Sequence, residues 1–188
     1  MVAGATKNSR ASSRLDPVSI DLINGAALET AASAYGLSAD SLALYRAGRP
    51  GASAGDILAA VVTDWFFTIP AIRVAEARTR AASAPTWVYR FDHPAPEDNN
   101  RFGASHAAEV PFVFNTIGQH DLHPLTGDTP SQAVADPTHR AWVDFITHGD
   151  PGWPAYDTAG RTTGLLSDHI EPASDPAASE RACWDLIR

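Results

Sequence analysis

The sequence predicts an α/β protein in which helices flank a mostly parallel sheet, and two observations carry that expectation. Over residues 56–82, Leu58, Val61, Val62, Trp65, Phe66, Ile69 and Ile72 recur at three- and four-residue spacing, so they gather on one stripe of a helix that must bury it. The period then changes. Thr86-Trp87-Val88-Tyr89-Arg90-Phe91 is a short run of β-formers with neither helical spacing nor strict alternation, the pattern of a strand covered on both faces. A helix followed by such a strand is the repeating unit of a parallel sheet.

In chain order, residues 1–24 are polar and rich in Ser and Arg, with Pro17 as a breaker, and are expected to be irregular. Short helices are expected over 26–35 and 38–45, ended by Gly36 and Gly48. Ser53 stands three residues before Asp56, the arrangement of an N-cap for the long helix. Pro70 removes a backbone donor and predicts a kink near Thr68, and Glu76 can pair with Arg80 one turn on. After the strand, a loop over 92–104 leads to His106 and to an apolar stretch over 110–114. Asp136-Pro137 should open a helix that runs through Trp142, Phe145 and Ile146 and stops at Gly149. A small hairpin over 156–167, turning at 157–160, and a last short helix over 177–187 complete the chain. No internal repeat is visible, so residues 1–188 are read as a single domain.

Composition narrows the function classes. With 14 basic against 22 acidic side chains, a net charge of −8 and Lys7 as the one lysine, the chain lacks the cationic cluster that nucleic acid or an anionic membrane demands. Neither is expected as a partner. There is no run of about 18 consecutive apolar residues, so no helix is expected to span a bilayer. The one cysteine, Cys183, forms no internal disulfide and supports no cysteine zinc site. His120 and His123 lie three apart, but a zinc ion needs a third or fourth ligand that the spacing does not supply; no metal and no cofactor is expected. Glu97 and Asp98 read as a solvated loop.

Two motifs bear on catalysis. Gly51-Ala52-Ser53-Ala54-Gly55 fits G-x-S-x-G, the turn that presents a nucleophilic serine, but such a turn follows an apolar strand and here Arg46-Ala47-Gly48-Arg49-Pro50 precedes it. The helix cap is the simpler reading of Ser53. His106 follows small residues on a loop beyond the buried strand, where its imidazole can point out at the carboxyl end of a parallel sheet.

Four blocks in order, Thr63-Asp64-Trp65-Phe66-Phe67 with Pro70-Ala71, Val88-Tyr89-Arg90-Phe91-Asp92, the H-x-x-E-x-P-F-V-F segment from His106 to Phe114, and Gly149-Asp150-Pro151 followed by Trp153-Pro154-Ala155-Tyr156, resemble the C-terminal part of the type B carboxylesterases. The resemblance implies the C-terminal portion of an α/β-hydrolase fold, with an incomplete, mostly parallel sheet and flanking helices. It also implies ester hydrolysis, in which a serine attacks the carbonyl, a histidine takes its proton and an acid orients the histidine. His106 matches the catalytic histidine, Glu109 matches a glutamate that supports it, and Asp64 matches a position better suited to a structural contact. Trp153 and Tyr156 look like packing residues.

The departures are as informative. The nucleophile turn and the oxyanion segment belong to the family's N-terminal portion and have no match here. The acid-bearing turn is approached by Gly4-Ala5-Thr6-Lys7-Asn8, after which Ser9 stands where the family has its acid and Arg10-Ala11-Ser12-Ser13-Arg14 replaces apolar residues. A hydroxyl cannot stabilise an imidazolium as a buried carboxylate does. The expectation is therefore a histidine-bearing fragment, inactive alone, that acts on a small-molecule ester when an N-terminal portion completes it. The rivals are a complementing module that docks on a separate polypeptide and a minimal hydrolase using Ser53 and His106, with Asp64 or Glu76 as acid. An incomplete sheet should also expose an edge, which permits self-association.

Overall fold

The computed structural model describes residues 20, 22–81, 84–93 and 107–187. Helices α1 (Gly25–Ala34) and α2 (Ala39–Ala47) start at Asn24 and Ser38, whose side chains accept from the backbone of Ala27 and Ser41. Helix α3 (Ala54–Thr63) begins with a full capping box. Ser53 Oγ accepts from the Asp56 N–H at 3.1 Å, and the Asp56 carboxylate accepts from the Ser53 N–H at 3.1 Å. The cap reading of Ser53 holds.

Near Thr68, where a kink is expected, the helix widens. Asp64–Thr68 is a π-helical turn, in which the Ile69 N–H donates to the Asp64 carbonyl five residues back, and α4 (Ile69–Ala81) continues beyond it. The wider turn absorbs the local misfit next to Pro70 without breaking the rod. The continuous run Ala54–Ala81 is long and apolar enough, by length and composition alone, to cross a membrane. A count of consecutive apolar residues misses it because Thr63, Asp64 and Thr68 interrupt the run. In this structure its stripe is partly spent inside the protein: Leu58, Val61, Val62 and Ile69 meet Leu28 and Ala32 of α1, Leu42 and Tyr45 of α2, and Trp184 from the C-terminal end. Trp65 and Phe66, on the π-turn, stay 39% and 42% exposed. Gly55 is where α3 passes against Ile20; a Cβ there would lie 2.1 Å from the Ile20 carbonyl oxygen.

Strand β1 (Val88–Phe91) has the expected two covered faces. Trp87, Tyr89 and Phe91 enter one core with Phe112, Val134, Ala135 and Trp153, and Val88 enters a smaller one with Ala75 of α4 and Tyr156. The sheet order is β1-β2-β3, with β2 (Thr162–Leu166) parallel to β1 and β3 (Ile170–Ser174) antiparallel to β2. The described sheet is thus mixed.

Three boundaries differ from expectation. The hairpin joins β2 to β3 through residues 167–169, not through 157–160. The Asp157 carboxylate accepts from the N–H groups of Ala159 and Gly160, which makes a local turn, but Pro151 and Pro154 upstream lack the donors for a pairing strand. The long helix α7 (Gln132–His148) starts ahead of Pro137, which lies inside it. Gln132 donates to Asp136 Oδ1 at 2.7 Å and to Asn115 Oδ1 at 3.0 Å, tying that first turn to the preceding loop. Its other end is as expected, with Gly149 in the left-handed region at φ 77°. The last helix, α8 (Ala178–Ala182), is shorter than 177–187. Between β1 and α7, the apolar stretch forms α5 (Val110–Val113), followed by a helical turn at His123–Thr126 that we call α6. Of the irregular segment expected over 1–24, residues 1–19 and 21 lie outside the described residues.

Candidate active site

His106 and Ser9 lie outside the described residues, as do Glu97 and Asp98. The structure does describe what holds the segment after His106. Ala107 sits at φ +65°, in the left-handed region that a non-glycine residue occupies only when its surroundings require it. The Val110 N–H donates to the Ala107 carbonyl at 3.1 Å, closing a turn onto α5. Pro111 and Phe112 of α5 are buried, and the Phe112 ring lies 5.2 Å from that of Phe91, the last residue of β1. The far end of α5 is fixed by His139 of α7, whose Nδ1 is 2.7 Å from the Val113 carbonyl. An aromatic anchor at the carboxyl end of a parallel strand therefore holds the chain one residue after His106.

Glu109 is the first residue before α5, and its Oε2 is buried. Around the same strand end, Arg90 makes a two-point ion pair with Asp92 at 2.6 and 2.7 Å. His93 stacks edge-on against Phe91 and Phe112, and burial lowers its pKa from the usual value while Asp168 opposes the shift. In the sequence, His93 falls within the loop expected over 92–104 and is not singled out. Its position immediately after the β1 run is the signal that could have found it.

The other named residues have structural partners. Ser53 Oγ lies 2.8 Å from Asp56 Oδ2, within the cap. Asp64 accepts a 2.5 Å hydrogen bond from the Tyr45 hydroxyl, which in turn accepts from Trp184 Nε1 at 2.7 Å. Burial pushes the Asp64 carboxyl up to about 6, against the hydrogen bond from Tyr45. Glu76 holds Arg161 and, as expected, Arg80 at 3.8 Å. Trp153 and Tyr156 are packing residues. Trp153 Nε1 donates to the Val88 carbonyl at 3.1 Å, and the Tyr156 N–H donates to the Thr86 carbonyl at 2.7 Å. The rings of His120 and His123 are 4.8 Å apart, with Asp128 at 3.2 Å from His123. Among the described residues, no three His, Cys, Asp or Glu side chains are grouped to hold a metal ion.

A cleft with an inner volume of about 50 Å³ opens between α4 and the inner face of the sheet, with Asp64, Thr68, Arg90, Tyr156 and Arg181 on its wall. It lies on the Val88 face of β1, opposite the face against which Phe112 and α5 pack.

Comparison with known proteins places these elements. Residues 16–168 match the family model described as the carboxylesterase family. The chain is 33% identical over 128 residues to the para-nitrobenzyl esterase of Bacillus subtilis, an alignment that covers 64% of this chain and 25% of that protein. It is 36% identical over 92 residues to the human bile salt-activated lipase, covering 47% of this chain and 12% of the lipase. The structure superposes on the Geobacillus stearothermophilus carboxylesterase EST55 with a TM-score of 0.74 at 26% identity, over 96% of this chain and 39% of that one. The chain therefore spans about a quarter of the length of the para-nitrobenzyl esterase that it matches. Its fold is part of the α/β-hydrolase fold, and the chain belongs to the carboxylesterase family, type B.

Proposed function

We propose that the chain is the histidine-bearing part of a carboxylic-ester hydrolase, with His106 as general base. The observation that carries this reading is the anchoring of the H-x-x-E-x-P-F-V-F segment: the residue after His106 is held in a left-handed turn by an α5 whose Phe112 packs on Phe91 at the carboxyl end of β1. In α/β sheets that end is where reacting groups converge. A histidine there takes the proton of a serine as it attacks an ester carbonyl and returns it to the leaving alcohol.

Glu109 supports the histidine loop from the start of α5. No serine of this sequence follows an apolar strand in a G-x-S-x-G turn, and Ser9 stands where the family places its acid. Nucleophile, acid and oxyanion donors therefore come from a portion of the fold outside these 188 residues, and the substrate is a small-molecule ester bound only when that portion is present. Ser53 does not serve, because its hydroxyl and its N–H are both engaged with Asp56 at the start of α3.

Reaction of the purified chain with a fluorophosphonate, followed by intact mass, tests the reading. No adduct and no turnover of a para-nitrophenyl ester are expected from the chain alone. Stoichiometric labelling that disappears in Ser53→Ala would overturn it in favour of a minimal hydrolase.

A further inference from the structure

The cleft between α4 and the sheet combines an apolar lining with one unspent hydrogen-bond donor. Ile69, Ile72 and Val88 supply apolar side chains. The charged groups on its wall are already engaged: Arg90 pairs with Asp92, Asp64 accepts from Tyr45, and Asp175 accepts from Arg181 Nε with both oxygens at 3.1 Å. Arg161 holds Glu76 and donates to the Tyr156 hydroxyl oxygen at 3.0 Å. That oxygen accepts, while the phenol proton meets no acceptor among the described residues. Tyr156 is only 4% exposed, so bulk water does little for the proton, and a buried donor without an acceptor is costly.

The wall is also held in place by its backbone. Arg161 and Asp175 are non-glycine residues in the left-handed region, at φ 49° and 42°, and the Asp175 N–H donates to the Arg161 carbonyl at 3.3 Å. Such a conformation persists only where the surroundings fix it. Size limits the occupant: one water needs about 10–15 Å³ of such space, so an inner volume of about 50 Å³ admits a body of about four non-hydrogen atoms. A wider hollow of about 490 Å³ between α2 and α8 shares Arg90, Pro176 and Ala177 with the cleft and gives it an approach. We infer that the cleft is a binding site for a small neutral oxygen compound, a short-chain alcohol or ketone, whose oxygen accepts from the Tyr156 hydroxyl while its carbons lie against Ile69, Ile72 and Val88. A carboxylate is the poorer occupant, because the arginines of the wall already hold Asp92, Glu76 and Asp175 and a further buried negative charge would lack a partner. The cleft lies on the face of β1 opposite α5, so the inference rests on neither the family reading nor the role of His106.

The test titrates the isotope-labelled full chain with propan-2-ol and follows methyl and tyrosine resonances by NMR. The methyl groups of Ile69, Ile72 and Val88 should shift and saturate in roughly the millimolar range, as suits so small a ligand, and the alcohol's methyl groups should give intermolecular NOEs to Ile72 and Val88. Tyr156→Phe should weaken binding about fivefold, the loss of one neutral hydrogen bond. Ala71→Leu, which fills the cleft from α4, should abolish it. Circular dichroism and melting compare both variants with the parent, and the NOEs in the parent chain locate the alcohol without either variant. Shifts that grow linearly without saturating, NOEs to residues elsewhere, an unchanged affinity in a folded Tyr156→Phe chain, or tighter binding of propionate than of propan-2-ol would each overturn the proposal.

Discussion

The Tyr45 hydroxyl donates to Asp64 at 2.5 Å while accepting from Trp184 Nε1 at 2.7 Å, so one phenol joins α2, the π-turn and the C-terminal end of the chain. Burial is the largest influence on Asp64 and holds its carboxyl at about 6, above the usual 3.8. A carboxyl that binds its proton more tightly folded than unfolded favours the folded state in acid. Its contribution is greatest below the unfolded value and declines as pH rises through about 6. Asp64→Asn keeps an acceptor for Tyr45 without the charge. Denaturant titrations at pH 5 and pH 7 should show the substitution to be more favourable, relative to the parent, at pH 7. An effect independent of pH would mean that Asp64 stays ionised throughout.

Gly164 and Trp153 touch more closely than any other residue would permit. A Cβ on Gly164 would come within 2.7 Å of the Trp153 indole, whose Nε1 is already committed to the Val88 carbonyl. Gly164→Ala should therefore push the indole off β2 and cost on the order of 1–3 kcal/mol, as overpacking of a full core does. Chemical denaturation measures the loss, and tryptophan fluorescence should shift to the red as Trp153 gains water.

Ser53→Ala removes the acceptor for the Asp56 N–H and loosens the start of α3. The expected loss is about 1 kcal/mol. Ester turnover of a completed enzyme should be unchanged, because the hydroxyl acts on the helix end and not on substrate.

His169, in the β2–β3 turn, lies between Glu171 at 2.9 Å and Asp168 at 2.7 Å. These two carboxylates, Glu171 first, raise its pKa above the usual 6.5. The sign follows: the added stability is fully present below the unfolded value and is lost as pH rises through the folded one. An NMR titration should place the His169 midpoint above 6.5, and Glu171→Gln should lower it. A midpoint that Glu171→Gln leaves unmoved would refute the pairing.

Much of the fold was legible because its signals are local. The long stripe from Leu58 to Ile72, the two-face burial of β1, the Ser53 cap and the Gly149 stop each depend on a few neighbouring residues and on backbone geometry. The errors lay where competing local signals had to be settled by distant groups. The turn at Asp157 is real, but strand β2 pairs forward with β3 because prolines upstream offer no donors. Pro137 resembles a helix opener, yet α7 starts earlier because Gln132 finds a partner in Asn115, seventeen residues back. Of the site, the H-x-x-E-x-P-F-V-F segment stood out at once, and His93 did not, because its place beside Phe112 exists only after the strand end and α5 meet.

By itself the sequence determined the class of the chain, its caps and stops, the residues that must be buried, and the family whose motif order it repeats. Tertiary structure alone decided that Asp64 would accept from Tyr45, that Gly164 would lie against the Trp153 indole, and that β2 would pair with β3. The physical reason is range. Periodicity and capping are settled within a turn or two of chain, whereas a buried carboxyl's partner and a strand's neighbours depend on groups brought together from far apart in sequence.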